Sequence, residues 1–147
     1  MKKNLLYALG VLGLLSCQSN DLKPKDLRIH YQETATIDRT SQTTLTFADV
    51  DDGRCPEDVN CIWSGRAKVD LALRGAGASE PELIKLCLWC AGELNPGTSL
   101  PITDTLSYTY RGQNYLFTLK AVEPYPASHT APTPKEDYSI VLSVQRK

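Results

Sequence analysis

Five cysteines carry most of the reactive chemistry in these 147 residues, and four of them, Cys55, Cys61, Cys87 and Cys90, fall in two close pairs. Four sulfurs can close two disulfides in any of three pairings, offer four thiolates to a tetrahedral zinc ion, or exchange electrons as a thiol couple. Proximity favours Cys55 with Cys61, because Pro56 and the run Glu57, Asp58, Val59, Asn60 can turn the chain back and bring the two Cα atoms inside the ~7 Å limit for a disulfide. Cys87 and Cys90 would stand about 10 Å apart on opposite faces of an extended strand. They pair only if the strand ends near Leu88 and the chain turns through Trp89; otherwise each must reach across to Cys55 or Cys61. Zinc fits less well, since a C-x5-C followed by a C-x2-C departs from the usual pair of C-x2-C knuckles. Thiol exchange of the thioredoxin type places its C-x-x-C at a helix N-terminus, whereas Cys87-Leu88-Trp89-Cys90 follows an apolar strand and runs into Ala91-Gly92. A thiol-redox or zinc-binding role for Cys55, Cys61, Cys87 and Cys90 therefore stands as the alternative to a structural one.

The remaining chemical inventory is thin. His30 and His129 lie in unrelated segments, neither beside a nucleophile nor at a telling distance from a carboxylate, and the one methionine is Met1, so neither a catalytic nor a copper constellation is evident. Asp49, Asp51 and Asp52 suggest calcium, but counting from Asp49 the glycine falls at position 5 and not at the required 6, which leaves a solvated turn as the simpler reading. No enzyme activity, cofactor or metal is expected. Sixteen basic residues against 17 acidic ones give a formal charge of −1, with no surplus to hold a nucleic acid backbone.

The N-terminus reads as an address. Met1-Lys2-Lys3, a mostly apolar run from Leu5 to Leu15 and then Ser16-Cys17 have the layout of a secretory signal. As a helix the run reaches only roughly 17 Å, short of the ~30 Å hydrocarbon core. Leu14-Leu15-Ser16-Cys17 resembles the lipobox of bacterial lipoproteins. The resemblance implies a signal peptide over 1–16, diacylation of Cys17 and a mature chain that begins there, held in the cell envelope with the outer membrane or cell surface ahead of the inner membrane. Cleavage removes Lys2 and Lys3 and no acid, so 14 bases would face 17 acids, about −3 in net charge. That sign gives no attraction to anionic lipid and leaves the acyl chains as the attachment. Polar residues up to Asp26 read as a tether.

The elements that must carry these cysteines are strands. From Leu27 onward the apolar residues recur with period two and almost no helical period. Ile29, Tyr31, Ala35 and Ile37 form one alternating run; Leu45 and Phe47 begin another, with a loop starting at Asp49. Ala67, Val69, Leu71 and Leu73 form the cleanest amphipathic strand. Leu83 to Trp89, apolar on both faces, predicts a central, doubly covered strand. Tyr108 and Tyr110 pass through Arg111-Gly112 to Tyr115, Phe117, Leu119 and Ala121 as a hairpin, and Tyr138, Ile140, Leu142 and Val144 close the series. About seven strands in one domain over 27–147 predict an all-β, two-sheet antiparallel sandwich, immunoglobulin-like or a related Greek key. The proline-rich connection from Glu123 to Asp137 should cross between sheets or lie over one end.

Between the second and third runs stands Arg54-Cys55-Pro56-Glu57-Asp58-Val59-Asn60-Cys61-Ile62-Trp63-Ser64-Gly65. It resembles the R-C-P-x-x-V-x-C-x-W-x-G segment of a group of small bacterial envelope lipoproteins, and Val122-Glu123-Pro124-Tyr125-Pro126 and Asp137-Tyr138 look like further marks of that group. The resemblance implies a β-rich module with a disulfide-closed loop and carries no activity with it. Cys61 and Trp63 share a side of an extended chain, so the indole is expected to pack over the disulfide, with Gly65 bending the chain into the next strand. Pro56 to Asn60 is the candidate binding loop, for an envelope protein or a glycan, in a protein expected to be a monomer and to act by binding or as a structural part of the envelope.

Overall fold

The computed structural model describes residues 24–90, 104–128 and 132–147; Cys17, the signal and most of the tether lie outside these, as does His129. The strands are β1 (Lys25–His30), β2 (Thr34–Asp38), β3 (Thr43–Asp52), β4 (Ala67–Arg74), β5 (Glu82–Leu88), β6 (Thr105–Tyr110), β7 (Gln113–Glu123) and β8 (Ser139–Arg146), with one short 3-10 turn at Lys135–Asp137. They form two antiparallel four-stranded sheets, ordered β1-β8-β7-β6 and β2-β3-β4-β5. The inward-facing residues of both sheets, among them Ile29, Phe47, Leu71, Tyr115, Phe117 and Leu142, fill one apolar core. The sandwich class expected from the alternation is the class found.

The eighth strand comes from a break in the first run. Residues 29 to 37 are not one strand but two, in different sheets, because Glu33 occupies the inward phase of the alternation, where a carboxylate has no partner. Instead the chain turns at Gln32, with φ of 61°. The Tyr31 and Gln32 amides donate to the carbonyls of Tyr138 and Phe47, at 2.9 and 2.8 Å, so the crossing residues are bonded to both sides of the sandwich. β1 also begins at Lys25, whose partner is Val144, so two residues of the expected tether belong to the sheet.

Two bulges adjust the phase further along. Ala48 is extra in β3, which turns Asp49 outward and Val50 inward, and Lys120 is extra in β7, which buries Val122 where Ala121 was expected. β3 thereby continues to Asp52 and does not end at the aspartates.

β5 is an edge strand, not a central one, and Leu83 is exposed. Its outer face looked apolar because Cys87 points that way. That sulfur is buried by Cys90 folding back over it, apart from the main core.

The registers define two ends. Asp52, Ala67, Leu88, Glu123 and Ser139 mark one, called the tip here. The base lies opposite, where β1 begins and where Thr43, Arg74 and Tyr110 lie. At about 3.4 Å per residue, the ten residues of β3 set the two ends roughly 34 Å apart.

Candidate functional site

The tip is assembled around one buried charge pair. After the β3 bulge Asp52 faces inward, and Arg54, only 6% exposed, turns back on it. Arg54 Nε and Nη2 donate to the two carboxylate oxygens of Asp52 at 2.7 and 2.6 Å. Nη1 and Nη2 also donate to the main-chain carbonyls of Val122 and Pro124 at 2.8 and 2.9 Å, and the guanidinium lies 4.6 Å from the Tyr125 ring centre. The Tyr138 hydroxyl donates to Asp52 at 3.1 Å. Burial, followed by the Asp52 charge, raises the pKa of that phenol. A planar guanidinium supplies such a fork of donors and an ammonium does not.

Three separated stretches of the sequence thus meet at one charge pair: Arg54 itself, the Val122 and Pro124 carbonyls with the Tyr125 ring on its guanidinium, and Tyr138 on its partner Asp52. Sequence reasoning overlooked Arg54 because arginine before cysteine reads as loop surface. The available signal was the lone base between Asp52 and Glu57.

Above the pair, residues 53–66 form a braced loop. The Gly53 and Cys55 amides donate to the carbonyls of Arg66 and Ser64 at 2.9 and 2.8 Å, which prolongs the β3-β4 ladder. Cys55 is bonded to Cys61 and Cys87 to Cys90, with Cα separations of 6.0 and 5.7 Å. The second pair forms on the stated condition, with the strand ending at Leu88 and Trp89 at φ 63°. With their sulfurs joined in disulfides, the four cysteines are not thiolate ligands. Among the described residues no cluster of His, Cys, Asp and Glu has the make-up of a metal site. Asp49 accepts from Lys135 at 2.5 Å, an exposed pair that lowers the carboxyl pKa.

Pro56 to Asn60 lie at the tip, but part of that run is tied to the proline-rich segment crossing it. Glu57 N donates to the Pro126 carbonyl, and Asp58 accepts from the amide and hydroxyl of Ser128. The side chains left outward come after the second cysteine. Ile62 is 94% exposed and Trp63 82%, so the indole does not cover the disulfide. Trp89 is 54% exposed and meets Tyr125 at 6.2 Å between ring centres. Between these rings and the loop runs an open groove of about 360 Å³, lined by Cys55, Pro56, Glu57, Val59, Trp89 and Tyr125. Ile62, Trp63 and Trp89 are thus large apolar side chains left exposed at the tip. The hairpin aromatics Tyr110, Tyr115 and Phe117 are core residues.

The base has its own buried carboxylate. A bulge in β2 turns Asp38 inward, where it accepts from the Thr40 and Ser41 amides at 2.8 and 3.3 Å and from the Tyr115 hydroxyl at 3.0 Å. Burial opposes its ionisation, but these donors outweigh burial and the pKa is lowered. A carboxyl with its folded pKa below its unfolded value of ~3.9 adds stability above that pH and loses it as the folded pKa is crossed. Thermal unfolding followed from pH 6 down to pH 2 should therefore show the midpoint falling below about pH 4. Asp38→Asn should be less stable at pH 6 and show a shallower acid limb. An unchanged limb would show that Asp38 is not bonded as described.

Comparison with family models, with characterised proteins and with solved structures finds no significant match to this chain.

Proposed function

We propose that the protein is a lipid-anchored envelope module that acts by binding, not by catalysis, and that it holds a partner protein with its tip. On this reading the signal over 1–16 is removed, acylated Cys17 fixes the chain to the outer membrane or cell surface, and the disulfide-braced domain projects from it. The observation that carries the reading is that the two working parts leave from opposite ends. The chain enters the sandwich at the base, at Lys25, while Ile62, Trp63 and Trp89 stand at the tip. A tether at the base directs the tip away from its own bilayer and towards whatever lies beyond.

The chemistry of the tip favours a protein over a glycan. Sugars stack on aromatic faces, whereas the most exposed large apolar side chain here is Ile62, a branched aliphatic suited to an apolar pocket. Bracing matters as much as composition. With the ladder bonds, the Cys55-Cys61 bond and the Arg54 peg fixing residues 53–66, little loop entropy remains to be lost on association.

Two variants of the full chain in its own cells test the two halves. Cys17→Ala is expected to move the protein from the membrane fraction to the soluble one; retention in the membrane would overturn the anchor. Crosslinking followed by affinity measurement on the recovered partner should show Trp63→Ser weakening the complex by about 30-fold or more, the effect of losing a central aromatic anchor worth ~2 kcal/mol. Affinity unchanged from the parent in both Trp63→Ser and Ile62→Ser would remove the tip as the binding surface.

A further inference from the structure

The net charge of the chain conceals a segregation along its long axis. In the loop of residues 53–66 the bases are Arg54, buried on Asp52, and exposed Arg66, while Glu57 and Asp58 lie at the surface and Asp51 is exposed just before them. The segment crossing the tip adds exposed Glu136 and Asp137 against Lys135, itself paired with Asp49. The base has the opposite sign. Lys25, Arg39 and Lys147 are exposed there and Arg146 is half-buried beside them; Arg74 and Arg111 lie at the same end, as do the acids Glu80 and Glu82.

Three of these cations line one cleft. It holds about 350 Å³ at the mouth between β1, β2 and β8, with Lys25, Arg39 and Arg146 around it, Thr36 and Thr40 beside them and Ile37 and Val144 as apolar wall. Asp38 is the acid within it, and its oxygens are already engaged by two amides, Tyr115 and, at 3.3 Å, Arg146. With Arg146 set against Asp38, Lys25 and Arg39 are the cations left facing the open cleft. Cations, hydroxyls and an apolar wall together suit the phosphate of an anionic phospholipid and the first carbons below it.

We infer that this cleft and its basic rim are a contact surface for anionic phospholipid headgroups, so that the domain stands base-down on the membrane to which it is tethered. The inference rests on the anchored reading above. The eight residues from Cys17 to Pro24 span at most roughly 28 Å, and they join the fold at Lys25, on the rim of the cleft. The acidic tip is repelled by the same surface. An overall negative charge predicts no such attraction; its distribution does.

The two tryptophans of the chain, Trp63 and Trp89, both sit at the tip and serve as internal probes. The acylated protein, purified from membranes, is placed on vesicles carrying a dansyl headgroup acceptor, made either of phosphatidylcholine alone or with added phosphatidylglycerol. Standing base-down lifts the indoles from the surface, so tryptophan-to-dansyl transfer should fall by half or more when phosphatidylglycerol is present, and recover at about 0.5 M salt, where screening is strong. Lys25→Glu with Arg39→Glu, both exposed and checked for an unchanged melt, should abolish the difference. Transfer that ignores lipid charge, or a double variant that behaves as the parent, overturns the inference while leaving the anchor intact. A protein that sediments with neither vesicle overturns the anchor, and the inference with it.

Discussion

Replacing Arg54 with methionine is expected to cost about 3–5 kcal/mol of folding stability, read as the shift of the urea midpoint at unchanged slope. The volume is nearly kept, so the loss is electrostatic. Asp52 would remain 3% exposed in its side chain with its bidentate partner gone, and the carbonyls of Val122 and Pro124 would lose their donor. Arg54→Lys keeps the charge but not the fork, and should recover only part of the loss. Asp52→Asn with Arg54→Met removes the stranded charge and should be more stable than Arg54→Met alone, since the two sites are coupled. A loss under about 1 kcal/mol for the methionine variant would mean that the pair is solvated, as ordinary surface pairs are.

Gly65→Ala is expected to be nearly as damaging, about 3 kcal/mol, for a reason that has nothing to do with charge. A Cβ at this position would lie 2.0 Å from the Gly53 carbonyl oxygen and 2.7 Å from the Arg54 Cα, both main chain. The residue also has φ of +71°, which costs an L side chain roughly 1–2 kcal/mol by itself. The rest comes from prising apart the strands at the Gly53-Arg66 hydrogen bond. Gly77→Ala isolates the first contribution, because its φ is also +71° but nothing lies within 4 Å of its Cβ. If both variants lose the same amount in chemical denaturation, the close packing at Gly65 is not what matters.

Much of the sandwich was legible because half-buried strands write their inner face every second residue, as Ala67, Val69, Leu71 and Leu73 do in β4. Reading failed where the phase slips. A bulge spends one residue without pairing, so Ala48 and Lys120 shift the inward positions from 49 to 50 and from 121 to 122. A periodic pattern then looks as if it ends. Glu33 was the overlooked marker of the sheet crossing, a charge in an apolar phase. At the tip, the local bonds were legible because Cys55 and Cys61 are neighbours in the chain. The Arg54 site was not, since its acceptors at Val122 and Pro124 are carbonyls of a distant segment, and any residue type carries a carbonyl. Trp63 misled for a related reason: large aromatic rings are assumed to bury themselves, and this one is held outward by a backbone already fixed on both sides.

The pairing of β1 with β8, Lys25 against Val144 through His30 against Ser139, bears on how such a chain is made. More than a hundred residues separate partners in that ladder, so it forms late and against a large loop-closure entropy. Until the C-terminal strand has emerged, the N-terminal one has nowhere to dock, and on the export proposed above the polypeptide would meet a translocation pore while still pliable.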